Sequence, residues 1–505
     1  MNKSEEPARL MRALWLAVGA LLLLRLAAMA LIPLMDTTEA RYGEIARKMV
    51  TLNDWITPWH DHGQPFWGKP PLSFWLTALS FKLLGVHEFS ARLPHLLCGL
   101  LTAACIWNVA RVRATSQGSI AVAILAGGLL FHVSSGAVMT DSALVLGTTA
   151  ALCSAWLALT GATLAQRTRH AWLTFLATAV AVLAKGPLAL VLIGAPMMLW
   201  ALWCGRWRAL WQALPWVRGV VLLAVLCLPW FVVAERKTPG FFEYFIVGEH
   251  FHRFVTPGWR GDLYGNAHAE PKGKIWLFAA GAMLPWALLL PALAFWRRAS
   301  PAYASPEIEQ GPWQITDRET GRWPLLMALV PLVFFSASSN IIWTYALPAL
   351  PGLAWWAARW MGRNPVQGLR WAVAGAAGAC AVMAVALIVA GSLGRFERST
   401  GKAMVARCES ERTQRVPAAQ QSLSDPIVMV LGRRSLSADF YSAGRAPRVQ
   451  DLREAAARVP PAGGCLALSP GDVERVEASG LQIVQNLGLA SGQQILWVRA
   501  APGAK

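Results

Sequence analysis

Between Asp36 and Pro71 the chain sets two carboxylates (Asp36, Glu39), an arginine (Arg41), a tyrosine (Tyr42) and a lysine (Lys69) just beyond the end of a long apolar run. Such carboxylates take or orient the proton of a hydroxyl, and an arginine with a loop lysine holds an anion such as a phosphate. Lys69 lies in FWGKPP, where two prolines stiffen the chain after it. Asp141, in AVMTDSALVL, occupies so short a polar turn that its carboxylate lies near membrane level, where ionisable groups face a cavity or a partner. It also suits the N-terminus of the following span, and the two roles are compatible. Lys185, in LAKGPLAL, is either a snorkelling lysine or a further cation of the same site. The segment FFEYFIVGEHFHRFVTPGWRGD gathers Glu249, His250, Arg253 and Arg260 among aromatics. His250 is able to ligate a divalent metal, but Glu249 beside it cannot share its helix face. The sequence demands no cofactor and leaves a metal open. Tyr345, in SSNIIWTYALP, points into the same cavity or out into the lipid belt.

Those residues need elements that bring them to one level. The 505 residues are 55% hydrophobic and 15% charged, with 26 Trp, which is the composition of an integral membrane protein. Apolar runs at 11–34, 90–110, 119–138, 142–160, 171–184, 186–204, 216–235, 273–296, 323–337, 341–358 and 371–393 give about eleven crossings by the length rule. Lys185-Gly186-Pro187 breaks the pattern between two of them. The first run is long and no small-residue cleavage site follows it, as expected of a retained span.

The formal charge of +18 does not indicate nucleic acid. The excess recurs between alternate runs as Arg111/Arg113, Arg167/Arg169, Arg206/Arg208/Arg218, Arg297/Arg298/Arg322 and Arg359/Arg363/Arg370, the pattern of topology determinants on the cytoplasmic side. That places Asp36 to Glu88, Asp141, Lys185, Glu235 to Lys274, Ser336 to Tyr345 and the tail after Gly394 on the extracytoplasmic side.

Asp36 to Leu52 reads as a surface helix, with Asp36, Thr37 and Thr38 cap-like and Ile45, Met49 and Leu52 at helical spacing. The chain divides into 1–394, with a first extracytoplasmic loop at 35–89, and a tail at 395–505. In the tail DPIVMVLG, CLALS, LQIVQNLG and QQILWVRA read as strands, with helical turns at Ser437–Ser442 and Val473–Ala478. A small α/β domain is expected. Six cysteines fall in or beside apolar runs as small hydrophobes; Cys408 and Cys465, in the tail, are free to pair in an oxidising compartment.

Taken together, TTEARYGEIARKM, NDWITP, FWGKPPLSFWL, LLGVHEFSARLP, the Asp141 turn, LAKGPLAL, GEHFHRF and LVFFSASSNIIWTYALP resemble the membrane glycosyltransferases of the aminoarabinose transferase and protein O-mannosyltransferase superfamily. The resemblance implies a polytopic α-helical GT-C fold of about 11–13 transmembrane helices with an extracytoplasmic active site. It implies transfer of a sugar (aminoarabinose-like, hexose or uronic acid) from a polyprenyl-phosphate carrier to a lipid A-like, glycan or protein acceptor. The setting implied is a bacterial-type inner membrane, with membrane lipids and no nucleic acid as partners. In that reading Asp36, Glu39 and Asp141 are catalytic, Lys69, Arg41, Arg253 and Tyr345 hold the donor phosphate, and Tyr42, Lys185, Glu249 and His250 are further candidates. The family often has an acid two or three residues before its Arg-Tyr pair; here Glu39 stands two before Arg41, Thr38 three before and Asp36 five before. Gly68 replaces the Glu that precedes the loop lysine in the aminoarabinose enzymes, and Ser338-Ser339-Asn340 replaces a lysine near the Tyr345 turn. A lipid-linked sugar flippase is the alternative. It calls for charges at mid-membrane depth and internal repeats, whereas here the charges gather at one face and no repeat is evident.

Overall fold

The computed structural model describes residues 5–501 except 62, 290, 292–310, 423 and 433. Among the described residues five helices are long and apolar enough to cross a membrane: Glu6–Leu31, Glu88–Ala110, Asp141–Thr160, Trp216–Lys237 and Pro365–Ser392. Shorter apolar helices, Leu72–Leu84, Thr115–Gly127 and Leu188–Cys204, fill the bundle between them. The chain is a multi-pass membrane protein, as its composition requires.

Several expected spans take a different form. The run at 119–138 is parted at Gly128 into Thr115–Gly127 and Leu129–Ser134. The run at 171–184 is only the end of the helix Leu164–Lys185, because Thr163 caps the polar segment before it and carries the helix through Arg167 and His170. Likewise 323–337 is lengthened to Asp317–Ser336 by the capping box of Thr316 and Glu319. The run at 341–358 opens as a 3-10 turn, Trp343–Ala349, before Leu350–Met361. Helix Leu72–Leu84 was not foreseen. The end of the run at 273–296 lies outside the described residues, as do Arg297 and Arg298.

The break at Lys185 is present and decides where the site lies. Asp141–Thr160 and Leu164–Lys185 form an antiparallel hairpin, so the first residue of one helix meets the last of the other. Gly147 makes this close packing feasible: a Cβ there would stand 2.6 Å from the backbone nitrogen of Ala181. Small residues at such contacts let helix backbones approach in a membrane. Gly186, at φ +79°, then turns the chain into Leu188–Cys204 in a conformation that glycine adopts without strain.

The opposite end of the bundle holds the arginine clusters. Arg113, Arg359 and Arg206 converge on Asp317 and Glu319 in the first turn of Asp317–Ser336. Buried tryptophans Trp156, Trp200, Trp323 and Trp355 pack against one another in the bundle, with neighbouring ring centroids 5.2–6.2 Å apart. The helix rises about 1.5 Å per residue and so carries the chain from Asp317 and Glu319 to Phe334 and Phe335, roughly 25 Å away.

The tail is a five-stranded sheet in the order Arg448–Val449, Val428–Leu431, Gly464–Leu468, Gln493–Ala500, Leu481–Ala490. The first two pairings are parallel and the last two antiparallel. All four expected strands are present. Cys408, on the helix Lys402–Arg415, is disulfide-bonded to Cys465 of the central strand, with Cα atoms 5.8 Å apart.

The surface helix runs from Thr38 to Thr51, and its N-cap, Thr37, makes no side-chain capping bond. Asp36 adds to the cap of a different helix, whose N-cap is Ser435. Its carboxylate accepts hydrogen bonds from Ser437 N (2.8 Å), Ser437 Oγ (2.6 Å) and Ser435 Oγ (3.2 Å), at the start of Leu436–Tyr441. Tyr441 adds to the seam by accepting from Leu34 N at 2.7 Å and donating to Glu88 at 3.1 Å. Replacing Asp36 with Ala removes a cap that contributes about 1 kcal/mol. Amide exchange in residues 435–441 should accelerate roughly fivefold, measurable by hydrogen–deuterium exchange of the detergent-solubilised protein.

Candidate active site

A cavity of about 240 Å³ opens where four segments meet. They are the loop carrying Lys69, the break from Lys185 to Val191, the stretch Phe245–Phe254, and the Phe334–Tyr345 turn. Glu243–His252 is wound as a π-helix, a wider coil that recurs at functional sites. Its Glu249 takes Lys69 Nζ at 2.8 Å on one oxygen and Arg253 Nη1 at 2.9 Å on the other. Arg253 also reaches Asp262 at 3.2 Å. The result is a chain of alternating charge, Lys69–Glu249–Arg253–Asp262. Burial pushes the Glu249 carboxyl up, but the charges of Lys69 and Arg253 outweigh it and hold the group at about 2. Burial likewise pulls Lys69 down, and the Glu249 carboxylate reverses this and leaves it above its ordinary value. Lys69, Glu249 and Arg253 stay ionised at neutral pH.

Beside this chain lies a second pair, Lys185 Nζ to Asp141 Oδ1 at 2.5 Å, with Lys185 also 5.0 Å from the centre of the Tyr345 ring. Both side chains are about nine-tenths buried, and the hairpin alone brings them together from 44 residues apart. Of the residues singled out in sequence, Lys69, Lys185, Glu249, His250, Arg253 and Tyr345 line the cavity, and Asp141 touches it through Lys185.

The structure does not bring Asp36, Glu39, Arg41 or Tyr42 to that lining. Asp36 is taken up by Ser435 and Ser437. Glu39 holds Arg92 through both oxygens at 3.0 and 2.7 Å and accepts from Val138 N at 3.1 Å. Tyr42 packs edge-on to Phe66 and Phe74 and bears electrostatically on Lys69. Arg41 lies near His60, where its charge bears on that ring. The metal left open in sequence finds no group of three or more ligating side chains among the described residues. His250 directs Nδ1 at Phe245 O (2.7 Å) and Nε2 at Lys185 O (3.2 Å). A neutral ring donates to one of these, so its work here is to join two backbone segments of the cavity wall.

Several positioning residues escaped sequence reasoning. Tyr264 Oη donates to Pro65 O at 2.7 Å and accepts from Trp67 N at 3.0 Å, which fixes the Lys69 loop. Asn340 Nδ2 donates to Arg253 O at 2.6 Å and to Thr256 O at 2.7 Å, and Asn340 Oδ1 accepts from Gly258 N at 2.9 Å. The Ser338-Ser339-Asn340 turn therefore clamps the Arg253 segment. Asp262 lay in a quoted motif, but nothing in its spacing tied it to Arg253.

Fold and cavity define a multi-spanning membrane protein with a largely apolar pocket whose charged residues are ion-paired, at the end of the bundle away from the arginine clusters. Comparison with known proteins narrows this class. Residues 19–245 match the family described as Dolichyl-phosphate-mannose-protein mannosyltransferase. An undecaprenyl phosphate-alpha-4-amino-4-deoxy-L-arabinose arabinosyl transferase of Shewanella sediminis is 30% identical over 338 residues, covering 66% of this chain and 57% of the relative. The namesake enzyme of Erwinia tasmaniensis is also 30% identical, over 64% of this chain and 54% of its own. The chain thus spans little more than half the length of these relatives. The crystal structure of ArnT from Cupriavidus metallidurans bound to undecaprenyl phosphate superposes with a TM-score of 0.75 at 19% identity, covering 95% of this chain and 97% of that one. The apo oligosaccharyltransferase of Archaeoglobus fulgidus gives 0.51 at 12% identity, over 87% and 64%. The resemblance to the aminoarabinose transferase and protein O-mannosyltransferase superfamily is borne out, and with it the GT-C fold.

The Asp141–Lys185 pair has a checkable energetic consequence. Removing one partner leaves a buried charge uncompensated, so Asp141→Leu alone should destabilise the protein by about 3 kcal/mol or more. The double variant Asp141→Leu/Lys185→Met should recover most of that loss. Thermal unfolding in detergent compares the two directly.

Proposed function

We propose that this chain is an integral-membrane glycosyltransferase that moves a sugar from a polyprenyl-phosphate carrier to an acceptor on the extracytoplasmic face of a bacterial-type inner membrane. The observation that carries the reading is the cavity itself. Two cations, Lys69 and Arg253, are held by one buried carboxylate, in a fold shared with a protein crystallised with undecaprenyl phosphate. The Cys408–Cys465 disulfide supports an extracytoplasmic tail, because such bonds persist in oxidising compartments.

In this mechanism Lys69, Arg253 and Tyr345 receive the donor phosphate, while the aromatic wall of Phe245, Phe254, Phe334 and Phe335 excludes water. The acceptor oxygen bonds to the anomeric carbon as the bond from that carbon to the phosphate oxygen breaks. The bonding pair stays on the phosphate, which gains one negative charge. Asp141 takes the proton of an acceptor hydroxyl on the oxygen not engaged by Lys185. Of the three acids expected from sequence, Asp36 and Glu39 lie away from the cavity, so the base falls to Asp141, which adjoins it through Lys185. Protonation of Asp141 frees Lys185 of its counter-ion, and its charge then offsets the one developing on the leaving phosphate. An acceptor phosphate, already ionised, requires no base, and Asp141 then serves to orient it.

Mass spectrometry of lipids that co-purify with the protein tests the donor class. Wild type should retain polyprenyl phosphate, bare or sugar-bearing, and Lys69→Ala should lose it. Equal retention of bulk phospholipid alone by both forms would remove the support for a polyprenyl donor. Thiol labelling tests the tail's placement: after unfolding, Cys408 and Cys465 should react only once a reductant has been added.

A further inference from the structure

We infer that Glu249 tunes the charge preference of the cavity, weakening its hold on the doubly charged phosphomonoester left after transfer more than its hold on the singly charged phosphodiester donor. The inference rests on the reading of the cavity as the donor phosphate site.

The charge count is on the structure. Lys69 and Arg253 carry two positive charges, and Glu249 and Asp262 carry two negative ones, within a continuous chain of contacts at 2.8, 2.9 and 3.2 Å. Lys185 and Asp141 form a second neutral pair. Unlike an open basic patch, this pocket has each of its cations paired with a carboxylate before a ligand arrives. Glu249 is the member between the two cations, with a side chain only 6% exposed, so any phosphate that touches both Lys69 and Arg253 lies close to its carboxylate. In a poorly solvated site that repulsion is weakly screened and scales with the charge of the ligand. A diester carries one negative charge. A monoester, whose second pKa is about 6, carries close to two above neutrality.

Transfer converts one into the other. During the step the added charge is offset by the proton moving to Asp141, which leaves Lys185 unpaired. Once that proton departs to solvent, the pairs are restored and the pocket faces a dianion. The Glu249 carboxylate offsets part of the pull of Lys69 and Arg253 on it, so the spent carrier leaves more readily than it would from the two cations alone. Glu249 acts here through the ligand's charge and as a positioning residue for both cations, without contact to the reacting atoms.

The test measures affinity of the detergent-solubilised full chain for two probes at pH 8, undecaprenyl phosphate and its methyl ester, in wild type, Glu249→Gln and Lys69→Ala. Glutamine keeps the size and accepting oxygen of glutamate and drops the charge. Glu249→Gln should bind both probes more tightly. The gain for the monoester should exceed that for the diester by roughly tenfold, since removing one negative charge relieves a dianion twice as much as a monoanion. An unchanged ratio of the two affinities, or equal weakening of both, overturns the inference and leaves Glu249 as a prop for its two cations. Lys69→Ala separates this from the underlying reading. If it weakens both probes while Glu249→Gln leaves the ratio unaltered, the phosphate site stands and the charge rule fails. If Lys69→Ala binds both as wild type does, the phosphate site itself fails. Should Glu249→Gln not fold, Asp262→Asn removes the same charge from the end of the chain and must shift the ratio in the same direction, by a smaller factor. No shift there also overturns the inference.

Discussion

The ion pair between Glu39 and Arg92 is the constraint on which the polar end of the molecule depends. Arg92, buried within Glu88–Ala110, binds Glu39 and also donates to the backbone carbonyls of Met29, Ile32 and Pro33. Glu39 in turn accepts from Met35 N and Val138 N. One guanidinium and one carboxylate thereby join the end of the first helix, the start of the surface helix, a membrane-spanning helix and the turn that leads into Asp141. Burial pushes the Glu39 carboxyl up, yet Arg92 and the two backbone donors together hold it below its ordinary value. Two charges so deeply placed are tolerable only when every donor and acceptor is matched. Breaking the pair would release four elements at once.

From that anchor the cavity follows by geometry. Fixing Val138 fixes the turn at Asp141, and the tightly packed hairpin carries Asp141 to Lys185. The chain's reversal at Gly186 then meets Phe245 and His250, which begins the π-helical segment bearing Glu249. On the far wall Tyr264 holds the Lys69 loop and Asn340 holds Arg253. Each cation arrives on a different element, and each is met there by a carboxylate. The pocket is thus assembled from residues that are individually ordinary and whose shared placement makes neutrality possible in a site built for an anion.

The tail belongs to the same design. Asp36, which stands where a catalytic acid was expected, is the hydrogen-bond acceptor that seats Leu436–Tyr441 on the surface helix. Tyr441 and Lys402 close the seam on Glu88. Glu88 opens the helix that carries Arg92, so the tail is tied to the element at the centre of the anchor. Gly68 gives Lys69 no carboxylate from its own loop, and Glu249 supplies one from a distant segment. Asn340 spends its side chain on the backbone around Arg253.

The sequence by itself determined the membrane class, the break at Lys185, the strands of the tail and the charged residues, with His250 and Tyr345, that line the cavity. Apolar length, Gly-Pro breaks and strand alternation are local properties, and an ionisable group in an apolar chain is conspicuous wherever it folds. Helix lengths were less legible at 164–170 and 317–322, because capped polar turns extend a helix without adding hydropathy. Partnership was not legible at all. Nothing in the spacing of Asp36, Glu39 and Asp141 says that the first will cap a helix 400 residues later, that the second will grip Arg92, or that only the third will reach a cavity cation. A carboxylate's role is set by the charges and donors within a few ångströms of it, and in this chain those neighbours come from distant segments that only the tertiary structure brings together.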